Sequence, residues 1–116
     1  MSVDIYEPHS GSVRVSGGSP AKAAGMCGYH FFKKKQLPVD FYFMGGNAGL
    51  QAAKACSVLA MVLKEENSYA SFIPMRFKMD ADDGHGNTSL KDIFVWRLKI
   101  EETDDVTELG EDIQHI

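Results

Sequence analysis

The sequence predicts an α/β domain in two layers (α+β). The chain should run β-α-β-α-β-β, with a four-stranded mixed sheet carrying two helices on one face. Three observations lead there. Residues 12–16, 71–79 and 90–101 alternate apolar and polar side chains with the period of a strand. Residues 39–44 are almost continuously apolar, as a strand covered on both faces would be. Two stretches, 20–36 and 48–63, repeat apolar residues at helical spacing between these strands. Two strand–helix–strand crossovers give parallel pairing, and a closing hairpin gives antiparallel pairing, so the sheet is mixed.

In chain order, residues 1–11 read as an irregular, flexible arm, 12–101 as the domain and 102–116 as an acidic tail. Ser12-Val13-Arg14-Val15-Ser16 is the first strand, and Gly17-Gly18 turns the chain. Ser19-Pro20 marks a helix start, with Ser19 as its cap and Pro20 where a missing N–H costs nothing. Gly25 and Gly28 are poor helix formers whose small size permits close approach. Lys33-Lys34-Lys35 suits the C-terminal end of a helix dipole, and Pro38 stops the helix. In the central strand only Asp40 interrupts the apolar run. The turn Met44-Gly45-Gly46-Asn47-Ala48-Gly49 leads into the second helix, which begins at Ala48 or Gly49 and runs to Leu63. Pro74 assigns the third strand to an edge or a bulge. Residues 80–88 read as a polar loop before the last strand. Two helices cover only one face of such a sheet, so the other must be polar or meet a partner.

Net charge is −4, unevenly spread. Twelve cations and nine anions lie in residues 1–100, whereas 101–116 hold seven anions and no Lys or Arg. Between Val13 and Lys78 nine cations face three anions, a net of +6. A basic body suits a polyanionic partner, and an acidic tail either competes for that body or aids solubility. Cys27 and Cys56 sit far apart in apolar stretches and read as free thiols of a reducing compartment. The first residues carry no apolar run, and the expectation is a cytoplasmic protein that makes no membrane contact.

The motifs exclude several chemistries. The glycines at 45, 46 and 49 fit neither GxxxxGK[ST] nor GxGxxG, although glycine backbone before a helix N-terminus suits an anion. The 80–87 loop, with Asp80, Asp82, Asp83 and His85, lacks the flanking pattern of a calcium loop and the soft ligands of a zinc site. It is read as a hairpin loop, and no metal or cofactor is expected. His9, His30 and His115 have no evident nucleophile beside them, so no enzyme is expected. Arg14, Lys22, Lys33, Lys34, Lys35, Lys54, Arg76 and Lys78 form a set able to contact phosphates.

The runs VSGGSPAKAAGM, MGGNAGLQAAKACSVLA and FIPMRFKM, in this order and spacing, resemble the stage V sporulation protein S family, part of the Alba-like group of nucleic-acid-binding domains. The resemblance extends over about residues 12–100. It implies the same β-α-β-α-β-β order, a homodimer or higher oligomer, and DNA or RNA binding with a regulatory or organising role. Carried onto this chain, it implies contacts from Ser16, Gly18, Ser19, Lys22, Gly45, Asn47, Gln51 and Lys54, to which the basic set adds Arg14. Leu50 stands where the family usually has Asn, and an Asn occurs at 47 instead. The alternative is a structural or protein-interaction domain that oligomerises without nucleic acid. A third reading is a small-anion or nucleotide site at the 45–49 turn.

Overall fold

Asp40–Phe43 forms the strand β2 in the interior of the sheet, as its apolar character requires. In the computed structural model, which describes residues 4–82 and 84–101, it is preceded by β1 (Ser12–Val15) and α1 (Ala21–Lys33). It is followed by α2 (Gly46–Glu65), β3 (Tyr69–Asp82) and β4 (Thr88–Glu101). The sheet order is β1-β2-β4-β3. The β1 and β2 strands are parallel, and β4 is antiparallel to both β2 and β3. The mixed four-stranded sheet and the β-α-β-α-β-β order are as expected. Pro74 lies in the edge strand β3, where a missing N–H leaves no ladder bond unmade on the outer side.

Both helices pack on one face. Val13, Val15, Phe41 and Phe43 from the sheet meet Ala24, Ala52, Ala55, Cys56, Leu59 and Leu63 from the helices. Phe41, Leu59 and Leu63 are completely buried, each worth roughly 1.5–3 kcal/mol in burial. The two helices approach closely because α1 carries glycine at the contacts. A Cβ on Gly25 would lie 2.7 Å from the Ala55 carbonyl oxygen, and one on Gly28 would lie 2.7 Å from the Phe41 ring.

Several boundaries differ from expectation. Ser19 does not cap α1. Pro20 holds the cap position without a side-chain bond, and Ser19 Oγ instead accepts the Ser16 N–H at 2.9 Å. The helix stops at Lys33, and Gln36 takes a positive φ of 54° to swing the chain into β2. The α2 helix starts at Gly46, earlier than the glycines suggested. Both hairpin strands are 14 residues long, so residues 69–70 and 80–82 join β3, and β4 begins at Thr88. At about 3.3 Å per residue these strands reach roughly 46 Å, nearly the whole 51 Å length of the molecule. Pairing of β2 with β4 ends at Phe43↔Phe94, so the outer half of the hairpin projects beyond the helices.

The face opposite the helices is covered by the N-terminal arm. Residues 4–11 are irregular, as expected, but docked. Ile5 bridges Lys78 on the free side of β3, and the chain then crosses to enter β1 on the far edge. Tyr6, only 4% exposed, packs on Ile93 and Val95 with Tyr42, Met75 and Phe77 around it. The tail, 102–116, lies outside the described residues.

Candidate nucleic-acid interface

The parallel strands β1 and β2 end side by side, and α2 rises directly from the end of β2. Glycine permits that junction: Gly45 has φ +87° and ψ 165°, a conformation that side-chain-bearing residues avoid. The first turn of α2 has no side-chain cap and no acidic residue. Its leading N–H groups therefore lack intrahelical partners and present the positive end of the helix dipole. The β1–α1 turn leans on this start: a Cβ on Gly17 would lie 3.1 Å from Asn47 Cβ. Ser16 and Ser19 brace the turn through three bonds between them: Ser16 N–H to Ser19 Oγ, a bond between the two hydroxyls at 3.1 Å, and Ser19 N–H to the Ser16 carbonyl, also at 3.1 Å.

These parts enclose one side of a cleft of about 730 Å³. Arg14, Ser16, Gly45, Gly46 and Asn47 form that side, Tyr42 and Ile93 lie on the sheet between, and Met79, Asp80 and Asp82 of the projecting hairpin form the other. The cleft thus has a cationic, N–H-donating wall and an anionic wall. The chemistry of the first wall suits an anion, and that of the second suits hydrogen-bond donors.

Of the sequence-predicted contacts, the cleft brings together Arg14, Ser16, Gly45 and Asn47. Gly18 and Ser19 lie in the adjoining turn but do not line it. Lys22 is exposed on the first turn of α1, and Gln51 and Lys54 follow Asn47 along α2 at helical spacing. By sequence alone Asp80 and Asp82 belong to a polar loop, whereas the structure sets them in β3. The length of the hairpin, which local alternation understated, carries them opposite Arg14.

The basic set divides once partners are seen. Arg76 and Lys78 both bind Asp92, at 3.1 and 2.6 Å, and together hold its carboxyl below the usual range. Lys33 binds Glu66 at 3.1 Å, where the Tyr29 hydroxyl also donates. Arg14, Lys22, Lys34, Lys35 and Lys54 make no ion pair among the described residues, and all five are exposed.

A second polar cluster lies at the other end of β2, and the sequence reading passed over it. Asp40, which seemed a mere interruption of the apolar strand, is completely buried. Arg97, its register partner on β4, donates from Nε to Oδ1 at 2.8 Å and from Nη2 to Oδ2 at 3.1 Å. Tyr6 donates to Oδ2 at 3.0 Å, and His9 Nε2 reaches the same oxygen at 2.9 Å. The Gly11 N–H donates to His9 Nδ1 at 3.2 Å, which leaves Nε2 to carry the proton toward Asp40. Burial pushes the Asp40 carboxyl up, but the bonds from Arg97, His9 and Tyr6 more than reverse this and hold it below the usual range. Burial raises the Tyr6 phenol to about 12, with the Asp40 charge adding to the effect. The Cys56 thiol is likewise pushed up to about 12 by burial, and both cysteines are free. The arm cluster is an anchor: it fastens the arm across the sheet.

Fold and cleft together define a class, a two-layer α/β domain with a cleft at the ends of its parallel strands, between a basic wall and an acidic one. No family model matches the chain, and no curated protein matches it. Among solved structures, the crystal structure of ALBA1 from Trypanosoma brucei is similar to it, with a TM-score of 0.48 and 15% identity over 94% of this chain and 83% of that one. No helix among the described residues is long and apolar enough to cross a membrane.

Proposed function

We propose that this chain is a non-enzymatic nucleic-acid-binding protein that meets the phosphate backbone of DNA or RNA at the cleft, in a regulatory or organising role. The observation that carries this reading is the acid-free, uncapped start of α2 opening beside Arg14. Lys22 and Lys54 extend the cationic surface along the helices, in line with the net +6 of the middle of the chain. The resemblance in the glycine turn and the first helix supports the same ligand. Contacts of this kind supply affinity without reading sequence.

Fluorescence anisotropy with duplex DNA, single-stranded DNA and RNA tests it. Affinity should fall steeply between about 50 and 200 mM salt, and Arg14→Ala should weaken binding to every sequence and lower the log–log salt slope by about 1. Salt-insensitive binding, or none to any of the three, rules the reading out. A second reading, an oligomerising protein-interaction domain, draws on Leu50 and Met61, which stand 57% and 66% exposed on α2. It calls for oligomers at micromolar concentration by light scattering with no nucleic-acid binding.

A further inference from the structure

At the end of the sheet away from the cleft, an apolar groove of about 370 Å³ is lined by Phe32, Leu37, Val39, Leu98 and Ile100. That volume lies in the range of ligand-holding pockets, roughly 300–1,000 Å³. Phe32, Leu37, Leu98 and Ile100 are only half-buried. The turn that connects Phe32 to Leu37 carries Lys33, Lys34 and Lys35, and neither Lys34 nor Lys35 makes an ion pair among the described residues. The groove is thus an apolar slot with a cationic rim.

The chain itself continues from this place. Ile100 lines the groove, Glu101 ends β4, and fifteen residues follow outside the described part, 102–116. They hold six carboxylates and no Lys or Arg, with Val106, Leu109 and Ile113 spaced three and four residues apart. That spacing would align three apolar side chains on one side of a helical turn or two. Val106 lies five residue steps beyond Glu101, a reach of about 16 Å, enough to fold back on the groove. Charge, apolar pattern and tether length all match the slot beside which the tail begins.

We infer that the groove is the docking site of the chain's own C-terminal tail, with Val106, Leu109 and Ile113 in the slot and the tail carboxylates on Lys34 and Lys35. The docked tail covers apolar surface that the helices leave open. It also holds its acids at the end of the sheet opposite Arg14, leaving the cleft clear.

Zero-length carbodiimide cross-linking of the full chain at low concentration, read by mass spectrometry, tests it. The expected products join Glu108, Glu111 or Asp112 to Lys34 or Lys35 within a single chain. Leu109→Asp with Ile113→Asp, changes beyond the end of β4, should abolish them. Amide shifts between wild type and this variant should cluster at Phe32, Leu37, Leu98 and Ile100. Cross-links spread evenly over Lys22, Lys54, Lys64 and Lys91, cross-links found only between two chains, or amide shifts absent from the groove would each overturn the assignment.

Discussion

Asp40 shows how much one residue can decide. A carboxylate inside a hydrophobic strand is tolerated only when its charge and lone pairs are met, and here Arg97, Tyr6 and His9 meet them. Asp40→Asn would replace an acceptor oxygen with a donor while Arg97, Tyr6 and His9 still donate toward it. The expected cost is about 3 kcal/mol, the lower end for breaking a buried pair, because the Arg97 side chain remains 40% exposed. Urea unfolding should show a lower midpoint with an unchanged slope. The pH dependence has a definite sign. The folded pKa is depressed, so the unfolded chain takes up this proton first as pH falls. Stability from Asp40 is therefore present above about pH 4, the ordinary carboxylate value, and drains away below it. The Asn variant should lack that contribution in the same acid window, as measured by unfolding at stepped pH.

At the scale of the elements, glycine plays opposite parts in the two helices. In α1 it permits contact. A methyl at Gly25 meets the Ala55 carbonyl and Val58, and backbone cannot give way cheaply. Gly25→Ala should destabilise by about 1–2 kcal/mol, overpacking outweighing the gain of up to about 1 kcal/mol in helix propensity. In α2, a methyl at Gly46 would meet nothing within 4 Å. Gly46→Ala should therefore stabilise by about 0.5 kcal/mol. If phosphate comes close to that backbone, the same change should weaken nucleic-acid binding several-fold. Thermal melts of the two variants, with anisotropy of the second, check both signs. A rise in melting temperature without loss of affinity would move the ligand away from the start of α2.

For the whole molecule, the arm completes what the helices leave unfinished. Two helices cover one face, and Tyr6 closes the other over Ile93 and Val95. Removal of residues 1–10 would take away Tyr6 and His9 together, expose the second cluster and strip two donors from Asp40. The expected loss is about 3 kcal/mol or more, combining apolar exposure with an undersatisfied buried charge. Concentration-dependent association should accompany it as the bare sheet face seeks cover. Calorimetry and light scattering of the shortened chain read the two effects separately.

What the sequence determined by itself was the order of elements, the two-layer class and the glycine junction before α2; for Pro74 it left an edge or a bulge, and the sheet order decided the edge. The first three follow from local periodicity or from a backbone requirement of one residue type, and need no knowledge of what lies across the fold. Of the cleft, the same reading reached Arg14, Ser16, Gly45 and Asn47, all on segments flanking the parallel strand ends. Tertiary structure alone decided the rest. Asp80 and Asp82 join the cleft because 14 residues of β3 register with 14 of β4, a long-range pairing that alternation over nine residues understated. The arm looked loose because its partners, Lys78, Tyr42 and Asp40, are remote in sequence. Asp40 looked like a flaw in an apolar strand because Arg97 lies 57 positions away, and burial can be favourable for a carboxylate only once such a partner has been brought across the sheet.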